Sequence, residues 1–258
     1  ETSYSLVDLS EGYHNVTVVV YDRAGNAAVS FVEFYVDVSP PYIVIISPEN
    51  GAYLNSGTIE VHWQGEDLSG IAYYEVRIDD GDWIYVGLNC TYIVRDLPDG
   101  SHLISVRATD ALGFSSERTV VFTVDTTAPE LSLVYPENNT EFVIEGLDIW
   151  VNITWTGNDN IELDHFEVSV DDGPWWNVGL NTSRRVLLSI GNHTIRIRAY
   201  DKANNYAEIR VIISVRGKGF ITIPKDALLA IGGLSLVITL SLIVGLRRRK
   251  KRYFRAAW

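Results

Sequence analysis

Three histidines in this chain each sit two positions after a glycine and eight before an aspartate. The sets are Gly12, His14 and Asp22; Gly100, His102 and Asp110; and Gly191, His193 and Asp201. An imidazole can act as a general base or bind a transition metal, and a carboxylate can hold calcium. Either chemistry needs a second group converging on the first, and no second His stands near any of the three. The sets recur instead, with Asp-to-Asp spacings of 88 and 91 residues. Recurrence at that interval marks a repeated small β-domain rather than one reaction centre. The histidines are therefore read as structural imidazoles.

Asp22, Asp110 and Asp201 are read as carboxylates that accept hydrogen bonds from their own turns, with calcium ligation as the alternative. Glu66, Asp67 and Asp159 are predicted at the same end, but no Asp-x-Asp-x-Asp-Gly loop exists. No cofactor and no metal site are assigned. Trp83, Trp175 and Trp176 are candidates for a sugar-stacking platform; core packing is the competing reading. Trp63 and Trp155 have inward parity, whereas one ring of the adjacent Trp175–Trp176 must face outward. Six Asn-x-Ser/Thr sequons, at Asn15, Asn89, Asn138, Asn152, Asn181 and Asn192, are candidate glycosylation sites. The chain has no HExxH, GxxxxGK[ST] or GxSxG and no nucleophile–base set, so it is read as a non-enzyme.

The elements that must carry these residues are strands. His102, Ile104, Val106 and Ala108 alternate with Leu103, Ser105, Arg107 and Thr109. His193, Ile195, Ile197 and Ala199 repeat the pattern, and His14, Val16, Val18 and Val20 are predicted inward. Such alternation predicts half-buried antiparallel strands with one wet face. The block Asp79-Asp80-Gly81-x-Trp83 returns as Asp171-Asp172-Gly173-x-Trp175, and its Asp-Gly predicts a tight hairpin. About seven strands per repeat predict an all-β chain of tandem Ig-like or fibronectin-III-like sandwiches plus one C-terminal transmembrane α-helix.

With Asp125–Pro129 (DTTAP) and the Asp22–Asn26 turn added, residues 1–216 resemble the extracellular Ig-like and fibronectin-III-like repeats of prokaryotic surface proteins. The resemblance implies the sandwich fold, and places each His where such sandwiches carry a corner tyrosine bonded back to the backbone. The sequons, without a wall-sorting motif, point to an archaeal source.

Ala227 to Leu246 is free of charge, and as a helix it spans about 30 Å, the hydrocarbon thickness of a bilayer. Arg247, Arg248, Arg249, Lys250, Lys251 and Arg252 follow as a stop-transfer cluster on the cytoplasmic side. Residues 217–258 hold nine Lys/Arg and one Asp, which leaves 12 basic and 32 acidic residues in 1–216. So acidic a body repels phosphate, and nucleic acid is excluded as a partner. The single Cys90 allows no intrachain disulfide and is read as a buried thiol.

Glu1 aligns with Asn89 on the repeat, so residues 1–41 are read as the C-terminal half of a truncated repeat in a longer polypeptide. Two sandwiches (42–129 and 130–216), a juxtamembrane linker (217–226), a span (227–246) and a cytoplasmic tail (247–258) follow. The expected function is a non-catalytic, single-pass surface stalk or adhesion module. Its expected partners are the lipid bilayer and, beyond that, surface proteins or glycans. The alternatives are a glycan- or protein-binding module, or the stalk of an upstream protease or glycosidase.

Overall fold

The computed structural model describes residues 3–219. The predicted span at 227–246 and its basic flank lie outside them. Among the described residues no helix is long and apolar enough to cross a membrane.

The chain begins with a hairpin, β1 (Gly12–Tyr21) and β2 (Ala27–Val36), paired antiparallel from Gly12↔Val36 to Tyr21↔Ala27. The face expected to be inward is open: Val18 and Val20 are each more than 60 % exposed. Among the described residues no second sheet packs over this hairpin, and alternation buries a face only when a second layer meets it.

The first sandwich follows with β3 (Tyr42–Ser47), β4 (Tyr53–Leu54), β5 (Ile59–Glu66), β6 (Ile71–Ile78), β7 (Ile84–Gly87), β8 (Thr91–Val94), β9 (Gly100–Asp110) and β10 (Ser115–Val124). One sheet has the order β3-β5-β8, the other β4-β10-β9-β6-β7. The second sandwich repeats this layout with β11 (Glu130–Tyr135), β12 (Thr140–Ile144), β13 (Asp148–Asn158), β14 (Leu163–Val170), β15 (Trp176–Gly179), β16 (Ser183–Ser189), β17 (Gly191–Asp201) and β18 (Tyr206–Gly217). Its sheets are β11-β13-β16 and β12-β18-β17-β14-β15. Each sandwich has eight strands because its first strand divides between the sheets. β4 and β12 pair parallel with the last strands β10 and β18.

The cores come from the inward faces. Trp63, Val76, Ile104, Val106, Ala108 and Phe122 fill the first; Trp155, Phe166, Ile195, Ile197, Ala199 and Ile213 fill the second. Trp63 meets Tyr74 edge-on, as Trp155 meets Phe166, the geometry an aromatic quadrupole favours.

Three expectations are corrected. The Asp-Gly does not close a two-residue hairpin: residues 79–83 join β6 to β7, and positive φ falls on Asp79, not Gly81. The wet face of β9 is partly dry, since Ser105 and Thr109 are buried. On that face the Trp83 ring packs on the guanidinium groups of Arg77 (4.6 Å) and Arg107 (4.2 Å), a layer of long side chains over the sheet. Cys90 is exposed. It stands just before β8, where its backbone carbonyl accepts the Trp63 N–H at 3.0 Å.

Candidate functional site

The residues that gather chemically reactive groups lie at the joints. Asp125 directly follows β10 and is fully buried. Asp159 lies between β13 and β14, and Asp201 ends β17. One oxygen from each carboxylate lies within 4.8 Å of the other two. The hairpin and the first sandwich form the same group: Asp37 after β2, Asp67 between β5 and β6, and Asp110 ending β9.

Each carboxylate is held by its own loop. Asp201 accepts from the backbone N–H and the side-chain amide of Asn205, both at 2.8 Å. Asp159 Oδ2 accepts from the Ile161 and Glu162 N–H groups, both at 2.9 Å. Asp125 Oδ1 accepts from Thr127 N–H at 3.2 Å. In the first joint Asp110 Oδ1 takes the N–H groups of Leu112 and Phe114, at 2.8 and 2.9 Å. Asp67 Oδ1 takes the N–H and hydroxyl of Ser69, and Asp37 Oδ1 takes Ser39 N–H. Four oxygens are left over. Asp37 Oδ2, Asp110 Oδ2, Asp125 Oδ2 and Asp159 Oδ1 are buried with no hydrogen-bond partner among the described residues.

Among the described residues no basic side chain forms an ion pair with any of these six. Burial, reinforced by Asp159, Asp201 and Asp99, holds the Asp125 carboxyl above its ordinary range against the opposing Thr127 N–H. Asp37 goes the other way: the nearby Ser69 hydroxyl, although its hydrogen bond goes to Asp67 Oδ1, and the Ser39 N–H hold its carboxyl low, outweighing burial. Ile161 stands where Ser69 does, so the second joint lacks that hydroxyl.

The second joint is also clamped. Asn205 Nδ2 donates to the Asp125 carbonyl at 2.7 Å. Asp99 accepts from the Thr126 N–H and hydroxyl, the Thr127 hydroxyl and the Asn160 amide, and these bonds hold its carboxyl below the ordinary range against burial. Tyr53 donates its hydroxyl to Glu162 at 2.8 Å. These bonds tie the end of one sandwich to the start of the next.

The histidines sit at the opposite task. His102 Nδ1 lies 3.0 Å from Asp79 Oδ2 and Nε2 lies 2.9 Å from the Pro98 carbonyl. His193 repeats this with Asp171 (2.6 Å) and the Ser189 carbonyl (2.8 Å). His14 bonds the Ser10 carbonyl. The aspartate partner is not evident from the Gly-x-His spacing. Its signal was there: Asp79 and Asp171 recur together with His102 and His193.

Asp22 accepts from Ala24, Asn26 and the Asn26 amide, which holds it below the ordinary range; among the described residues it joins no carboxylate cluster. Trp175, like Trp83, packs on two guanidinium groups, those of Arg196 (4.9 Å) and Arg198 (4.0 Å). Trp176 is exposed beside Arg184. All six sequon asparagines are exposed.

No family model matches the chain, and no curated protein matches it. Similar solved structures include the fibronectin(III)-like modules of Clostridium thermocellum CbhA, at TM-score 0.49 and 18 % identity, covering 68 % of this chain and 95 % of that one. A 1.5-MDa bacterial ice-binding adhesin is similar at TM-score 0.36 and 17 % identity, over 81 % of this chain and 76 % of that one. The D00-D0 domain of Intimin is similar at TM-score 0.31 and 11 % identity, over 67 % and 99 %. None of these similar structures supports the archaeal source expected from the sequons and the lack of a wall-sorting motif.

Proposed function

We propose that this chain is a non-catalytic cell-surface stalk, its sandwiches outside the cell and residues 227–246 in the membrane. The observation that carries the reading is the clamped second joint, where Asn205, Asp99 and Tyr53 bind across from one sandwich to the other. A spacer needs joints that resist bending, and a freely hinged array cannot set a distance. Strands of about nine residues make each sandwich about 30 Å long. The charge division supports the orientation, with the acidic body outside and Arg247–Arg252 retained inside. The exposed sequon asparagines would carry glycans in that setting.

The test is membrane fractionation with proteolysis of intact cells. The full chain stays in the pellet through an alkaline wash, and external protease removes the sandwiches while sparing a tag after Trp258. Recovery in the aqueous fraction, or a protected body, contradicts the reading.

A second reading, a glycan-binding module, rests on exposed Trp176 with Arg184 stacked at 4.7 Å. Saccharide binding that Trp176→Ala abolishes would favour it.

A further inference from the structure

We propose that the clusters Asp37–Asp67–Asp110 and Asp125–Asp159–Asp201 are two copies of one divalent-cation site, selective for calcium, each fastening a linker to the sandwich that follows it. Three observations carry this. Each cluster brings one oxygen from three carboxylates within 4.8 Å of one another. Two oxygens on opposite sides of a calcium ion, each about 2.4 Å from it, are about 4.8 Å apart, so a common centre fits. Asp37, Asp110, Asp125 and Asp201 are each more than nine-tenths buried. Asp125 Oδ2 and Asp159 Oδ1 in one cluster, and Asp37 Oδ2 and Asp110 Oδ2 in the other, have no hydrogen-bond donor among the described residues. Buried anionic oxygens packed together without a cation or a donor are strongly unfavourable.

The third observation is positional. Counting 25 residues from the glycine that opens β1, β9 or β17 reaches Asp37, Asp125 and Arg216. The linker carboxylate is present at the two places where a sandwich follows. It is replaced by a cation-repelling Arg where the chain continues to Lys218 and the 227–246 segment instead. A carboxylate needed only to cap its own strand would recur in all three.

The donor set is all oxygen, which selects a hard cation over zinc or copper. Three carboxylates on three separate loops suit calcium, which tolerates irregular geometry. Magnesium holds more of its water and takes fewer protein carboxylates.

The test uses the full chain in detergent, stripped with EDTA and titrated with calcium chloride in a calorimeter. Two calcium ions bind per chain, Asp125→Asn leaves one, and Asp37→Asn with Asp125→Asn leaves none. At a calcium concentration a hundredfold above Kd the wild-type Tm rises by about 10 °C, and magnesium at that concentration gives a smaller rise. Folding failure is controlled by the same variants in EDTA. There Asp125→Asn melts no lower than wild type, because it removes a buried like charge. Absence of calcium heat together with an unchanged Tm in wild type overturns the proposal. So does calcium binding that the Asn variants retain. Neither outcome depends on where the chain resides, so this test can fail while the stalk reading stands.

Discussion

His102 Nδ1 lies 3.0 Å from Asp79 Oδ2 while its Nε2 lies 2.9 Å from the Pro98 carbonyl. A carboxylate and a carbonyl only accept, so both ring nitrogens must donate, and the bound form is the imidazolium. Burial opposes that charge, but Asp79 and the Pro98 carbonyl outweigh it and raise the pKa above 6.5. A group raised in the folded state contributes its full stabilisation below its unfolded pKa and loses it as pH rises through the folded value. His193 is raised in the same way by Asp171 and Ser189. Wild-type Tm therefore falls as pH rises above the ordinary histidine value of about 6.5 and through the raised folded values, and Asp79→Asn with Asp171→Asn flattens that decline. Equal slopes in the two proteins would contradict the imidazolium assignment.

Removing the ring tests the same contact from the other side. His102→Ala loses two hydrogen bonds, both donated by the charged ring, and costs about 2–3 kcal/mol in a denaturant titration. No surface activity changes with it. Loss of a binding activity at unchanged stability would show that the ring serves a ligand.

Gly157 faces Phe166 so closely that an added Cβ would lie 2.6 Å from a ring carbon. The ring packs edge-on against Trp155 and cannot retreat. Gly157→Ala is expected to destabilise the second sandwich by about 1–3 kcal/mol through overpacking. A neutral result would mean the core is looser than the contacts indicate.

Cys90 is exposed, and Thr182 stands at its place in the next repeat. Maleimide should label the native chain at the rate of a free thiol, and Cys90→Thr should change stability by less than about 0.5 kcal/mol. Labelling that requires denaturant would contradict the exposed placement.

Much of the fold is legible in the sequence because strand alternation is local. Ile104, Val106 and Ala108 announce a buried face without knowledge of what covers it. The limits of that reading lie where burial depends on residues far away. Val18 and Val20 carry the same pattern as Val106 and stay exposed, because among the described residues no sheet lies over them. Ser105 is polar and has outward parity, yet it is buried under a layer built from Arg77, Arg107 and Trp83. Asp110 and Asp201 were visible as recurring carboxylates beside Asp67 and Asp159. Their linker partners Asp37 and Asp125 were not, because only the folded joint brings three separate loops together. The same holds for Asp79 and His102, which meet through the pairing of β6 with β9.

The central claim, that adjacent sandwiches hold a fixed relation and so set a distance, is tested most directly by spin labels. One is placed at Arg118→Cys on exposed β10 and the other at Asn152→Cys on exposed β13, in the Cys90→Thr background. The account predicts one narrow distance distribution from pulsed dipolar spectroscopy. It also predicts that Asn205→Ala broadens it by removing the bond to the Asp125 carbonyl. A broad distribution in the parent chain, unchanged by Asn205→Ala, would make the joint a free hinge and contradict the stalk.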